Sequence, residues 1–322
     1  MPRRAQPLAV SPSRRGLREH PAIPADRASW QFAEGDEIAP GRSIVKHLGG
    51  GSAYEVFLVW DDYFFCLMVA KVLRPDRAEE PRHLRSLEAE ADALESLEHP
   101  VVIRGFDAVL DGPHPHVLIE HLEGPTLRSL IKRHGPLPIE QVVPLALHVA
   151  AAIQYMANEG WVHLDVKPDN IVMGVPPRLI DLSVARTVER AAALHRPVGT
   201  DPYMATEQCD AAARPGQIGP AADVFGLAAT LFHAVAGSVP FPRPKAARES
   251  EDPAVRFPQL HAEPGELPRK TPAELAEVIR AGLDKDPRRR PTAAEMAAAL
   301  EPVLASLPRK LTLTRRGAKP VY

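Results

Sequence analysis

The sequence predicts a two-lobed α+β body, a small sheet-forming lobe followed by a larger, mainly helical one. Three observations carry that expectation. Strand-like apolar runs crowd the first third of the chain, long helical periods fill the part after Gly124, and a short link near Glu123 and Gly124 divides the two. With 322 residues, 45% of them hydrophobic, the chain has enough apolar material for a substantial core, as one large domain or two lobes.

Residues 1–37 read as a disordered basic arm, rich in Pro and Arg and without a hydrophobic period. The body is expected over 38–304, with its lobes at 38–120 and 124–304. Residues 44–48 and 54–60 flank a glycine cluster as strands, and 64–72 supplies a third. Residues 82–97 have helical spacing, with Leu84, Leu87, Ala91, Leu94 and Leu97 on one face. Two more strand candidates follow at 101–109 and 117–121. Beyond the link, helices are expected at 139–158, 222–236, 273–283 and 293–304. The stretch 243–270, loaded with Pro and charge, reads as a long irregular loop with at most a short helix. Residues 305–322 form a basic C-terminal tail.

The formal net charge of -2 gives no global field for nucleic acid or an anionic membrane. Cys66 and Cys209 are too few for a disulfide framework and lack zinc-ligand spacing, which fits a reducing compartment. The most apolar run, 142–156, carries Pro144, His148 and Gln154 and is shorter than the span of about 20 residues that a membrane asks for. A cytoplasmic protein without a membrane span is the expectation. The basic termini are candidate contacts for an acidic partner, although a solvated terminus is the simpler reading.

Gly49-Gly50-Gly51-Ser52 sits between the first two strand candidates. Glycines let backbone N–H groups approach phosphate oxygens unobstructed, although three glycines also make an ordinary hairpin turn. Context decides. Lys71 ends the third strand candidate, where a buried ammonium is costly unless paired. Glu90 on the following helix is the partner at hand, which leaves Lys71 pointed at phosphates.

The strongest motif is His163-Leu164-Asp165-Val166-Lys167-Pro168-Asp169-Asn170. An Asp-rich turn can simply cap backbone groups. Phosphoryl transfer, however, asks for alignment plus neutralisation of charge, and this octet offers both. Asp165 can accept a hydroxyl proton, Lys167 can steady a moving phosphoryl group, and Asn170 with Asp181 can supply oxygens to Mg²⁺.

The octet resembles the catalytic loop H-R-D-x-K-P-x-N of eukaryotic-type (Hanks-type) bacterial serine/threonine protein kinases. Other stretches resemble that family's landmarks in its order. Leu48 to Gly51 with Val56 is similar to the glycine-rich loop, Val69-Ala70-Lys71 to V-A-I-K, and Glu90 to the helix glutamate. Asp181-Leu182-Ser183 stands where D-F-G does, and Gly199-Thr200-Asp201-Pro202-Tyr203-Met204-Ala205-Thr206-Glu207 resembles G-T-x-x-Y-M-A-P-E. Asp223 and Arg290 match a buried aspartate and the partner of Glu207.

The resemblance implies a bilobal protein-kinase fold: a small antiparallel β-sheet plus one helix in the N-lobe, and a mainly helical C-lobe. It implies ATP and Mg²⁺, and a protein substrate with a serine or threonine acceptor. Gly49, Gly50, Gly51 and Ser52 would cradle phosphates, which Lys71 and Glu90 position. Val56, Ala70, Ile119, Glu120, Leu122 and Val172 are the implied nucleotide-pocket residues. Asp165, Lys167 and Thr200 are the implied catalytic residues, and Asn170 and Asp181 the implied metal ligands.

Four departures stand out. The third glycine of the phosphate loop is missing near Ala53 and Tyr54, Ser183 replaces a glycine, and Thr206 replaces a proline with a small effect expected. Leu164 replaces the arginine that, in the family, receives the phosphate of a modified activation loop, and leucine makes no charge-assisted pair. Between Val184 and Gly199 the only hydroxyl is Thr187. Activity is therefore expected not to need activation-loop phosphorylation. The alternative is a pseudokinase, a nucleotide-binding signalling scaffold.

Overall fold

Alternating burial builds the first lobe. In the computed structural model, which describes residues 28–307, the strands are β1 (Glu37–Ala39), β2 (Arg42–Gly50), β3 (Tyr54–Asp61), β4 (Cys66–Leu73), β5 (Gly105–Val109) and β6 (His116–Glu120). They form one antiparallel six-stranded sheet in the order β1-β2-β3-β4-β6-β5. Along β3, Glu55, Phe57 and Val59 turn to one face and are buried, while Val56 and Leu58 turn to the other. The first face, with Ile44, Met68, Ala70, Val72 and Leu118, makes a small separate core.

Trp30 and Phe32 cover that core. Residues 28–37, expected in the basic arm, are thus part of the folded body, because two aromatic rings close an apolar sheet face that would otherwise meet water. The rest of the arm (1–27) and positions 308–322 of the expected 305–322 tail lie outside the described residues, while the first two tail residues, 305 and 306, continue the last helix. β4 starts two residues later than the apolar run that predicted it. The Asp61 Oδ1 atom accepts the N–H groups of Tyr63 and Phe64 at 2.9 Å each, which holds this stretch in a turn.

Behind the sheet lie a short helix α1 (Pro75–Ala78) and the long α2 (Pro81–Ser96), which buries Leu87, Glu90, Ala93 and Leu94. The second lobe opens with α3 (Leu127–His134), a helix not anticipated from the sequence. Only Leu127 and Ile131 are buried in it, so its apolar period is weak, although the Thr126 side chain caps its start. α4 (Ile139–Asn158), α7 (Pro220–Ala236), α9 (Ala273–Gly282) and α10 (Ala293–Ser306) follow, close to the expected bounds. Between these come the short α5 (Val188–Ala192), α6 (Thr206–Cys209) and α8 (Pro253–Arg256). α4 is long and apolar enough to cross a membrane, but half of its apolar stretch is buried inside the protein, against α7 and α10.

Residues 101–103, expected within a strand, instead join the lobes. Leu179 N–H donates to Val101 O at 2.6 Å, and Ile103 N–H donates to Leu179 O at 2.9 Å. Arg178 adds an ion pair to Glu120 at 3.0 Å.

Candidate active site

The glycine-rich loop is the β2–β3 hairpin. Gly50 has φ +153°, and a Cβ there would lie 2.3 Å from the Tyr54 carbonyl oxygen, so only glycine fits. The Gly51 N–H donates to that same oxygen at 3.0 Å and closes the turn, with Ser52 exposed at its tip. Sheet register then sets which residues share a face with Lys71. Val56 pairs with Lys71, and Val69 pairs with Ile119. Ala70 does not belong with them: the alternation of the strand turns it to the opposite face, against Phe57 and Leu118. Val69 occupies the position expected of Ala70.

Lys71 is held from two sides. Its Nζ lies 2.8 and 2.9 Å from the Glu90 carboxylate oxygens and 2.8 Å from Asp181 Oδ1. Burial favours the neutral amine, but Glu90 and Asp181 outweigh it and hold the ammonium above its usual range. Burial also pushes Asp181 up, yet the Lys71 charge and hydrogen bond, with a hydrogen bond from the Ser183 side chain, keep it well below the usual carboxylate range. Both groups are therefore charged near neutrality. Tyr54 was read only as a missing glycine. Its ring in fact lies 4.5 Å from the Lys71 ammonium, a cation–π contact.

The loop at 163–170 is pinned from below. Both oxygens of buried Asp223 accept backbone N–H groups, from His163 and Leu164, at 2.7 Å each. Leu164 needs this support, since its φ of +64° is strained for a leucine. Gln208 adds a hydrogen bond from its Nε2 to Leu164 O at 2.8 Å, a contact the sequence did not signal. Above it, Lys167 Nζ joins Asp165 Oδ2 and Thr200 Oγ1, both at 2.6 Å. Asn170 Nδ2 donates to the same Asp165 oxygen at 3.1 Å. The other oxygen, Asp165 Oδ1, is buried without a hydrogen-bond partner. The two halves of the site meet through Ile180, whose N–H donates to Asn170 O at 2.8 Å and whose carbonyl lies 3.2 Å from His163 Nε2.

At the link between the lobes, Ile119 and Leu122 are partly buried against the main core, and Val172 lies beside Gly124. The Glu120 side chain is committed elsewhere, to the Arg104 N–H at 2.9 Å and to Arg178, and its own N–H donates to Arg104 O at 3.0 Å, which leaves only its carbonyl for a ligand. Thr206, expected to matter little, has a fully buried hydroxyl that donates to Lys285 O at 2.6 Å.

His233 of α7 lies 2.7 Å from the Tyr203 hydroxyl, beneath the segment that carries Thr200. Burial and the Arg128 charge push its pKa down from 6.5 to about 4. Between those values the unfolded chain binds a proton that the folded protein does not, so stability rises with pH across that window. The denaturant midpoint is expected to fall as pH drops from about 7 to about 5, less steeply in His233→Gln.

The sequence pattern of the protein kinase domain matches residues 42–300. The serine/threonine-protein kinase PknB of Mycobacterium leprae is 29% identical over 268 residues, covering 79% of this chain and 41% of that protein. The probable serine/threonine-protein kinase PkwA of Thermomonospora curvata is 30% identical over 266 residues, covering 82% and 34%. The serine/threonine-protein kinase PrkC of Bacillus subtilis is 26% identical over 268 residues, covering 81% and 40%. The chain thus spans about two fifths or less of the length of these relatives.

Proposed function

Since the chain belongs to the protein kinase family, we propose that it moves the γ-phosphoryl group of ATP onto a serine or threonine hydroxyl of another protein, with Mg²⁺ as its metal. The observation that carries this reading is Asp165, with one oxygen held by Lys167 and Asn170 and the other buried and unpartnered. An incoming hydroxyl is the partner such an acceptor lacks.

Asn170 and Asp181 fit a metal. Asn170 spends its Nδ2 on Asp165, so Oδ1 is the atom it has for a cation. Among the described residues no three or more His, Cys, Asp or Glu converge. That suits an ion that keeps water and phosphate oxygens around it rather than a full protein cage. When bound, Mg²⁺ neutralises phosphate charge. Asp165 accepts the proton of the incoming hydroxyl as its oxygen bonds to phosphorus. Lys167 offsets charge on the transferred group, while Lys71, fixed by Glu90, holds the phosphates left on ADP.

Incubation with γ-labelled ATP, Mg²⁺ and a generic basic protein tests the reading. Phosphoserine or phosphothreonine is expected. Nucleotide binding without transfer would favour the signalling scaffold. A cytoplasmic setting follows from the same reading, because ATP is supplied there, and both Cys66 and Cys209 are free thiols.

The same proposal includes independence from activation-loop phosphorylation. Leu164 is buried in the main core, and Thr187 uses its oxygen to cap α5. Beside Thr200, the Asp201 carboxylate pairs with Arg243 at 2.6 Å and with Arg256 at 3.0 Å. Gln259 donates to Asp201 O at 2.7 Å and to Met204 O at 3.1 Å. These bonds fix the segment with charges already in the chain. Phosphatase treatment and Thr187→Ala are each expected to leave kcat/KM within about two-fold, whereas Asp201→Asn lowers it by about ten-fold. Loss of most activity on phosphatase treatment would contradict this.

A further inference from the structure

Arg74 belongs to none of the motifs above, yet it is among the largest fully buried side chains of the molecule. Its Nε donates to Gly51 O and its Nη1 to Ala28 O, both at 2.9 Å. Its backbone N–H donates to Ala53 O at 2.9 Å. Two carbonyls of the phosphate loop therefore rest on one residue. Glu55, 1% exposed, faces the guanidinium at 3.7 Å.

The chain ahead of the sheet completes this pair. The Glu55 carboxylate accepts from Ser29 Oγ at 2.7 Å and from the Trp30 N–H at 3.0 Å. The Trp30 indole N–H donates to Leu73 O at 2.7 Å, one residue before Arg74. A buried ion pair persists only where such hydrogen bonds offset its desolvation. Here several come from residues 28–30, and the far end of the network is the phosphate loop.

We propose that Ser29, Trp30, Glu55 and Arg74 are positioning residues for the phosphate loop, setting how tightly it holds a nucleotide's phosphates. The proposal rests on the reading of Gly49 to Gly51 as a nucleotide loop. In a planar trans peptide the C=O and the following N–H point opposite ways. Fixing Gly51 O on Arg74 therefore turns the Ser52 N–H away from Arg74, as a donor with a set direction. The loop is held at both ends, by Arg74 on Gly51 O and by the Tyr54 ring over Lys71. This supplies order where the family's third glycine is absent.

The test compares three full-length proteins: wild type, Arg74→Met, and the double variant Ser29→Ala/Trp30→Phe. Binding of a fluorescent ATP analogue, steady-state kinetics and amide hydrogen exchange are measured on each. The Kd for the analogue and the KM for ATP are expected to rise by about ten-fold in Arg74→Met and about three-fold in the double variant. The kcat should change by less than about two-fold, and exchange should quicken across residues 50–54 but not in β6. Unchanged exchange and Kd in a folded double variant would overturn the proposal. So would uniform quickening of the whole sheet, which marks a merely structural role. If Arg74→Met does not fold, the double variant decides alone, since it keeps the ion pair and an aromatic ring. A wild type that binds no nucleotide would sink the kinase reading instead, while the exchange pattern, which needs no nucleotide, still decides whether this segment fixes the loop.

Discussion

Asp165→Asn is expected to lower kcat by about three orders of magnitude while changing the KM for ATP by less than about three-fold. The split follows from where the residue sits. Asp165 touches Lys167 and Asn170, and its free oxygen is the only part facing an absent partner. Lys71 with Glu90 and Asp181, the groups proposed to hold phosphates and metal, forms a separate cluster. Asparagine keeps the size of the side chain but cannot accept a proton at neutral pH, so chemistry suffers and binding does not. Steady-state kinetics on both proteins, with melting temperatures to confirm folding, provide the check. A loss below about ten-fold would mean that another group orients the hydroxyl.

Arg290→Met is expected to destabilise the fold by about 3–5 kcal/mol, measured by denaturant unfolding. Arg290 and Glu207 form a two-pronged ion pair at 2.7 and 2.8 Å, and both side chains are fully buried. The guanidinium also donates to Asp284 O and Ala221 O at 2.8 Å each and lies 5.0 Å from the Phe225 ring. Removing the arginine leaves a carboxylate buried without its counter-charge, which is the costly case. Removing both charges is different. The double variant Glu207→Met/Arg290→Met is expected to recover part of the loss, because the desolvation of each ion is avoided. A single variant as stable as the wild type would show that water reaches the pair.

Much of this architecture was legible in the sequence because local chemistry and global packing agree. The α4 bounds match the expected 139–158, since its apolar face is continuous. Lys71, Glu90, Asp165, Lys167 and Asp181 were named from residue type and spacing and Thr200 from the family resemblance, and the fold brings them into two linked clusters. What escaped was set by register and by distant partners. Ala70 was assigned to the nucleotide pocket by likening Val69-Ala70-Lys71 to V-A-I-K, but Ala70 is the immediate neighbour of Lys71, and neighbours on a strand face opposite ways. Arg74 carries no motif, and its role depends on Ala28 and Gly51, which only the folded sheet brings together. Residues 28–37 read as part of the disordered basic arm because two aromatics among polar residues show no period, yet they close a sheet face.

Lys71, Asp165, Asn170 and Asp181 are proposed to converge around one triphosphate and its metal. The most direct measurement is an experimental structure of the protein with a non-hydrolysable ATP analogue and Mg²⁺. Metal density is expected on Asn170 and Asp181, with phosphate oxygens on Lys71 and the γ-phosphate facing Asp165. A nucleotide bound away from these four side chains, or one bound in the cleft with no metal on Asn170 and Asp181, would contradict this proposal.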